Sequence, residues 1–194
     1  MKMNDYISDF TKHLKHALEI GQTTLLSDPH ADIHNVLICG LGGSGIGGTI
    51  VNDLVSEHIN VPISATKDYS IPNFVDENTL VIASSYSGNT EETLFALEAC
   101  QNRRAQIACV TSGGALEKLA KEKGFNCITI PGGQPPRAMF GYSFTQLFFL
   151  LNHYGLIDNS FMSEFEKGIA LLDSEEEAIK SKAKELATKL YGTT

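Results

Sequence analysis

Asn35-Val36-Leu37-Ile38-Cys39 runs straight into Gly40-Leu41-Gly42-Gly43-Ser44-Gly45, and that junction decides the fold. A short apolar run without alternation reads as a strand buried on both faces, and the glycines end it. Beyond them Ile46, Ile50, Val51, Leu54 and Val55 recur at helical spacing, which makes the unit strand, glycine turn, helix. The unit repeats. Val61–Ala65 predicts a second strand and Leu80-Val81-Ile82-Ala83 a third, followed by the turn Ser84–Thr90 and a helix through about Ala99. Gln106–Val110 predicts a fourth, followed by Thr111-Ser112-Gly113-Gly114 and a helix from Ala115, and Cys127–Ile130 predicts a fifth that ends at Pro131. Apolar runs alternating with helices in this way predict the α/β class: a five-stranded parallel sheet with right-handed crossovers, flanked by helices on both faces.

Outward from this centre the character changes. Tyr6–Leu18 places Ile7, Phe10, Leu14, Ala17 and Leu18 on one stripe of period 3.6, an opening amphipathic helix, and Gly21–His34 reads as a polar connection. After Pro135-Pro136 the strongly apolar Ala138–Leu151, with Phe140, Phe144, Leu147, Phe148 and Leu151, predicts a buried helix. Ser163 with Glu166, and Ser174 with Glu177, fit capping boxes at the starts of two further helices. Glu176 with Lys180 and Glu185 with Lys189 have the favourable i,i+4 order of a solvated helical face. The chain therefore divides into an N-terminal helix and connection (1–32), a sheet domain (33–157) and a charged helical linker (158–194).

Composition narrows the function. The 194 residues are 42% hydrophobic and 20% charged, enough apolar material for one full core, and no window approaches the ~20 apolar residues of a membrane span. Lys2, Asp5, Asp9, Lys12 and Lys15 interrupt the first twenty residues, unlike a signal peptide, so the expected compartment is the cytoplasm. A net charge of -8 argues against nonspecific nucleic-acid binding, and any anionic ligand must be held by a local site. Cys39, Cys100, Cys109 and Cys127 show no C-x-x-C spacing and read as small buried hydrophobes. The six histidines are dispersed, so no metal site is expected.

Three places could carry chemistry. Gly40–Gly45 matches G-x-G-x-x-G, whose backbone N–H groups meet a pyrophosphate in dinucleotide sites. Such a site wants an acid after the second strand, where Asp68 stands beside Lys67. The turn alone leaves open a dinucleotide, a sugar phosphate, or no ligand; a Walker loop is excluded for want of G-K-[ST]. Ser84-Ser85-Tyr86-Ser87-Gly88-Asn89-Thr90 sets several hydroxyls before a helix, so a phosphate there would meet Ser85, Ser87, Thr90 and the helix's free N–H groups without needing a lysine. Thr90 as an ordinary N-cap is the plainer alternative. Pro135-Pro136-Arg137 stiffens the approach to a guanidinium that could stabilise an oxyanion, or simply sit in an ion pair or in solvent.

Gly42-Gly43-Ser44-Gly45, Ser85-Tyr86-Ser87-Gly88-Asn89-Thr90-Glu91-Glu92-Thr93, and Pro135-Pro136-Arg137-Ala138 with Gly141-Tyr142 resemble the sugar isomerase (SIS) domain, and within it the bifunctional phosphoglucose/phosphomannose isomerases. The likeness runs from about residue 33 to the C-terminus, where Leu186–Gly192 resembles the connector between the family's two SIS halves. The resemblance implies a flavodoxin-like three-layer sandwich. It implies that Ser44, Ser85, Ser87 and Thr90 hold the substrate phosphate, that the backbone of Gly43 lines the sugar, and that Arg137 stabilises an enediolate. The implied reaction interconverts glucose 6-phosphate or mannose 6-phosphate with fructose 6-phosphate through a cis-enediol, with no metal or redox cofactor. The family's second half supplies a glutamate base and a ring-opening histidine, and this sequence stops where that half would begin. The expectation is thus an N-terminal phosphate-binding half, inactive alone, pairing as a homodimer or with a second SIS unit. Glu91 and Glu92 are expected to favour the helix dipole and not to replace the base. A non-catalytic phosphosugar-sensing module and an NAD-binding Rossmann protein are the rival readings.

Overall fold

The computed structural model describes residues 3–193; Met1, Lys2 and Thr194, at the outer ends of the predicted 1–32 and 158–194 segments, lie outside the described residues. In chain order the elements are α1 (Met3–Ser8), α2 (Phe10–Thr23), β1 (Asn35–Cys39), α3 (Gly43–Val55), β2 (Ile63–Thr66), β3 (Thr79–Ser85), α4 (Glu91–Asn102), β4 (Gln106–Thr111), α5 (Gly114–Lys123) and β5 (Asn126–Thr129). A 3-10 turn (Pro136–Met139), α6 (Phe140–His153), α7 (Ser160–Ser174) and α8 (Glu176–Leu190) follow. The stretch to Asn159 and the stretch from Ser160 form two separate compact units.

All five strands are parallel in the order β2-β1-β3-β4-β5, with Val36 of β1 opposite Ile63 on one side and Leu80 on the other. This is the flavodoxin-like order, and the chain reverses direction across the sheet between β1 and β3, where ligands of open α/β sheets bind outside the carboxyl ends. Alternation along the strands sends Leu37, Cys39, Val81, Ala83, Ile107 and Cys109 against α4 and α5, which contribute Ala96, Leu97, Cys100, Leu116 and Ala120. The alternate residues, such as Ile38 and Ile82, are equally buried and face α3 and α6, with α2 packed on α6. The polar connection after α2 is fastened to the sheet. Gln106 accepts from the His30 N–H at 3.2 Å and donates to the Ala31 carbonyl at 2.9 Å.

Several local expectations change. The opening helix is two helices, because Asp9 leaves the helical conformation; Tyr6 then turns inward and Ile7 outward, 67% exposed. In α3 the expected stripe is only partly kept: Val51 and Val55 are buried, but Ile46 and Leu54 are 51% and 58% exposed and Gly45, Gly47 and Gly48 are buried in their place. The cause is close approach to the sheet. A Cβ on Gly48 would lie 2.8 Å from Ile38 Cγ2, and one on Gly45 would lie 2.5 Å from the Gly40 carbonyl oxygen. The apolar helix expected from Ala138 opens as the 3-10 turn, and α6 begins at Phe140. Neither capping box forms: α7 already starts at Ser160, the Ser174 hydroxyl donates back to the Leu171 carbonyl at 2.9 Å, and α8 starts after Glu175 without a side-chain cap. The ion pairs Glu176–Lys180 (2.7 Å) and Glu185–Lys189 (2.6 Å) do form.

Candidate functional site

The turn from β3 into α4 begins with a strand buried to its last residue, Ser85 included at 2% exposure. The alternation that sends Val81 and Ala83 toward α4 sends Ser85 the same way, and its Oγ meets Thr90 Oγ1 at 2.8 Å. Thr90 is the N-cap of α4, yet its side chain makes no cap hydrogen bond. The hydroxyl that would quench the helix's free N–H groups is thus engaged with Ser85, leaving the positive end of α4 uncapped by Thr90. Ser87 is exposed in the same turn and accepts from the Asn89 N–H at 3.2 Å.

The β4–α5 turn fixes this loop from behind. Ser112 donates to the Tyr86 carbonyl through both its hydroxyl (2.6 Å) and its N–H (3.0 Å), while Leu116 N–H donates to the Gly88 carbonyl at 2.9 Å. Ala115 N–H donates to Asn89 Oδ1 at 3.0 Å. Gly88 has φ +67°, and a Cβ there would fall 1.8 Å from the Gly113 carbonyl oxygen, so glycine is required.

The β1–α3 turn lies beside it, since Cys39 pairs with Ala83. Gly40 crosses so close that a Cβ would sit 2.9 Å from the Ser84 carbonyl oxygen and 3.1 Å from the Ser44 carbonyl carbon. Gly43 and Ser44 form the first turn of α3, whose N-cap, Gly42, carries no side chain to occupy the backbone donors. Two helix N-termini and the hydroxyls of Ser85, Ser87 and Thr90 therefore share the switch point. Arg137 stands in the 3-10 turn that follows β5, the strand two places from β3 in the sheet. It is exposed and makes no hydrogen bond or ion pair with any described residue, so the structural ion pair is not what holds it there. Its loop is tied back by the Gln134 N–H, which donates to the Tyr86 hydroxyl at 3.1 Å.

The SIS domain family model matches residues 31–153. This chain belongs to the SIS domain family. It is 43% identical over 156 residues to a bifunctional phosphoglucose/phosphomannose isomerase of Caldicellulosiruptor bescii, covering 80% of this chain and 46% of that protein. It is also 39% identical over 114 residues to a D-glucosamine-6-phosphate 4-epimerase of Sulfolobus acidocaldarius, covering 58% and 36%. The chain spans about half the length of the curated relatives it matches. A solved Clostridium difficile protein superimposes at a TM-score of 0.77, covering 98% of this chain and 57% of its own at 17% identity, which extends the likeness of fold beyond that of sequence.

Elsewhere in this SIS domain the polar groups are arranged differently. A shallow surface crevice beside β2 is lined by Lys67, Asp68, Glu92 and Thr93 among others, but by none of Ser44, Ser85, Ser87, Thr90 or Arg137. Asp68, the acid a dinucleotide site would want, accepts from the Tyr69 N–H at 2.7 Å. Cys39, Cys100 and Cys109 are buried and Cys127 half-buried; burial pushes the Cys109 and Cys127 thiols up, and the Cys100 thiol followed by burial does so for Cys39. Among the described residues no group of three or more His, Cys, Asp or Glu could hold a metal ion, and no helix is long and apolar enough to cross a membrane. Sequence reasoning missed the ties behind the SIS site: Tyr86, Ser112, Asn89 and Gln134. Gly114 signalled the tie to Asn89, since a Cβ there would lie 2.4 Å from the Ser87 carbonyl oxygen; nothing local signalled Gln134.

Proposed function

We propose that this chain is the phosphate-binding half of an aldose–ketose isomerase acting on hexose 6-phosphates, interconverting glucose 6-phosphate or mannose 6-phosphate with fructose 6-phosphate. The observation that carries the reading is the Ser85–Thr90 hydroxyl pair at 2.8 Å, which leaves the α4 terminus uncapped by its own N-cap residue. A phosphate dianion suits that helix end: hydroxyls and helix N–H groups supply donors without a lysine, in a protein whose net charge is -8. The names of the longer relatives supply the reaction.

In that reading Ser44, Ser85, Ser87 and Thr90 hold the phosphate, and the backbone of Gly43 borders the sugar. Isomerisation removes the proton on C2 of the open-chain aldose, leaves the electron pair as a C1=C2 enediolate, and returns a proton to C1. A hydroxyl proton moves from O2 to O1, so the equation balances without redox chemistry. Arg137, which pairs with no described residue, stabilises the enediolate oxygens as their charge develops. No residue of this chain is assigned as the base; Glu91 and Glu92 sit in the first turn of α4, where acids favour the dipole. The proposal also takes 33–157 as the SIS unit with 1–32 and 158–194 as its helical flanks, the cytoplasm as compartment, and a second SIS unit or a second copy as partner.

The test is a calorimetric titration with fructose 6-phosphate of the wild type and Ser87→Ala. Losing one hydrogen bond to a charged phosphate should weaken binding about 10- to 100-fold. Equal affinity in the two proteins would count against the phosphate assignment.

A further inference from the structure

The opening helix lies outside the matched SIS region, 31–153, and yet reaches the loop that carries Arg137. Tyr6 is the buried residue of α1 at 7% exposure, with its ring 6.5 Å from that of His13, which in turn lies 5.3 Å from the Tyr142 ring of α6. Tyr6 is thus seated against His13 of α2, which is itself packed on Tyr142 of α6. Its hydroxyl donates to Gln134 Oε1, and the Gln134 backbone N–H donates to the Tyr86 hydroxyl at 3.1 Å. Tyr86 belongs to the hydroxyl-rich turn and is itself held through its carbonyl by Ser112. Between Gln134 and Arg137 stand only Pro135 and Pro136, whose rings fix φ, and the Ala138 N–H closes on the Pro135 carbonyl at 2.9 Å. A residue held at both its side chain and its backbone, followed by two prolines, leaves the guanidinium little freedom in where it starts.

We infer that Tyr6 is a positioning residue for Arg137: through Gln134 it sets the placement of the guanidinium loop against the phosphate turn. This rests on the isomerase reading above for what Arg137 does, but not for the clamp itself. The role is distinct from packing, because Tyr6→Phe keeps the ring against His13 and removes only the hydroxyl. A misplaced guanidinium would cost affinity for an enediolate-like anion more than for the substrate, which presents no such charge.

Two measurements test it on Tyr6→Phe, with Ile7→Ala as control because Ile7 is 67% exposed on the same helix. Hydrogen exchange of the Gln134 and Ala138 amides should quicken in Tyr6→Phe and not in Ile7→Ala. Calorimetry should show 5-phospho-D-arabinonate, whose carboxylate imitates the enediolate, bound about tenfold more weakly by Tyr6→Phe, with fructose 6-phosphate within about twofold. Gln134→Ala should reproduce the loss, and the double variant should lose no more than either single one. Unaltered exchange in Tyr6→Phe overturns the clamp whatever binds. Quickened exchange with both ligands weakened equally, or neither, overturns the positioning of Arg137. Quickened exchange in a protein whose wild type binds neither ligand leaves the clamp standing and overturns the hexose-phosphate reading instead.

Discussion

Replacing Gly88 by Ala attacks the candidate site without touching a hydroxyl. The backbone there has φ +67°, where a Cβ costs about 1–2 kcal/mol before any contact is counted. The Cβ would stand 1.8 Å from the Gly113 carbonyl oxygen, a backbone atom that no rotamer change can move. Relief to a tolerable 3.0 Å needs the two turns to part by at least about 1.2 Å. Overpacking of that kind adds about 1–3 kcal/mol. Separation also strains the Leu116–Gly88 and Ala115–Asn89 hydrogen bonds, at 2.9 and 3.0 Å. A total near 2–5 kcal/mol predicts a thermal midpoint lower by about 5–15 °C in a domain of this size. A displacement of about 1 Å in the turn that carries Ser85, Ser87 and Thr90 should weaken sugar-phosphate binding by about 100-fold. Scanning calorimetry reads the first effect and isothermal titration the second. A variant with the wild-type midpoint and affinity would refute the account of the clamped turn.

Three further outcomes follow. Arg137→Ala should leave the thermal midpoint within about 1 °C, since the side chain pairs with no described residue; in an active isomerase containing this half it should lower kcat more than it raises KM, and a KM effect alone would remove Arg137 from catalysis. Burial holds His13 below its usual value near 6.5, with Asp9 opposing and His16 and Lys12 adding to the shift. The folded form therefore favours the neutral ring: its contribution is complete above about 6.5 and is lost as pH falls toward the lower folded value. Thermal midpoints measured from pH 7.5 to 5 should decline less steeply in His13→Phe, and parallel profiles would contradict this. The thiols of Cys39, Cys109 and Cys127, raised and wholly or largely shielded, should label slowly with Ellman's reagent at pH 8 and quickly in denaturant. Rapid native labelling would show that the core opens.

The central strands were legible because burial on both faces leaves little but apolar residues, and β1 falls on Asn35–Cys39 as read. β3 was read too short, to Ala83, because Ser84 and Ser85 look like turn residues although the strand carries them inward, both buried. The α3 face was misread for the complementary reason. Periodicity ranks side chains by size, whereas a helix pressed on β1 buries its glycines and turns Ile46 and Leu54 out. Capping boxes at Ser163 and Ser174 failed because local pattern cannot fix a helix start that the preceding residues already extend.

The candidate hydroxyls were legible as a cluster before a helix, but their pairing was not. That Thr90 bonds Ser85 and not its own helix depends on the strand's alternation and on the Gly88 turn, features spread over the sheet edge. The ties from Gln134 to Tyr86 and Tyr6 join residues far apart in sequence, and no local signal marks them.

In the proposed reading the switch point holds a sugar phosphate and not a dinucleotide. Isothermal titration of this chain with fructose 6-phosphate, and separately with NADH, tests it most directly. In this reading fructose 6-phosphate should bind saturably, at least about tenfold more weakly in Thr90→Val, and NADH should not bind. Saturable NADH binding without fructose 6-phosphate binding would contradict it and return the site to the glycine turn after β1.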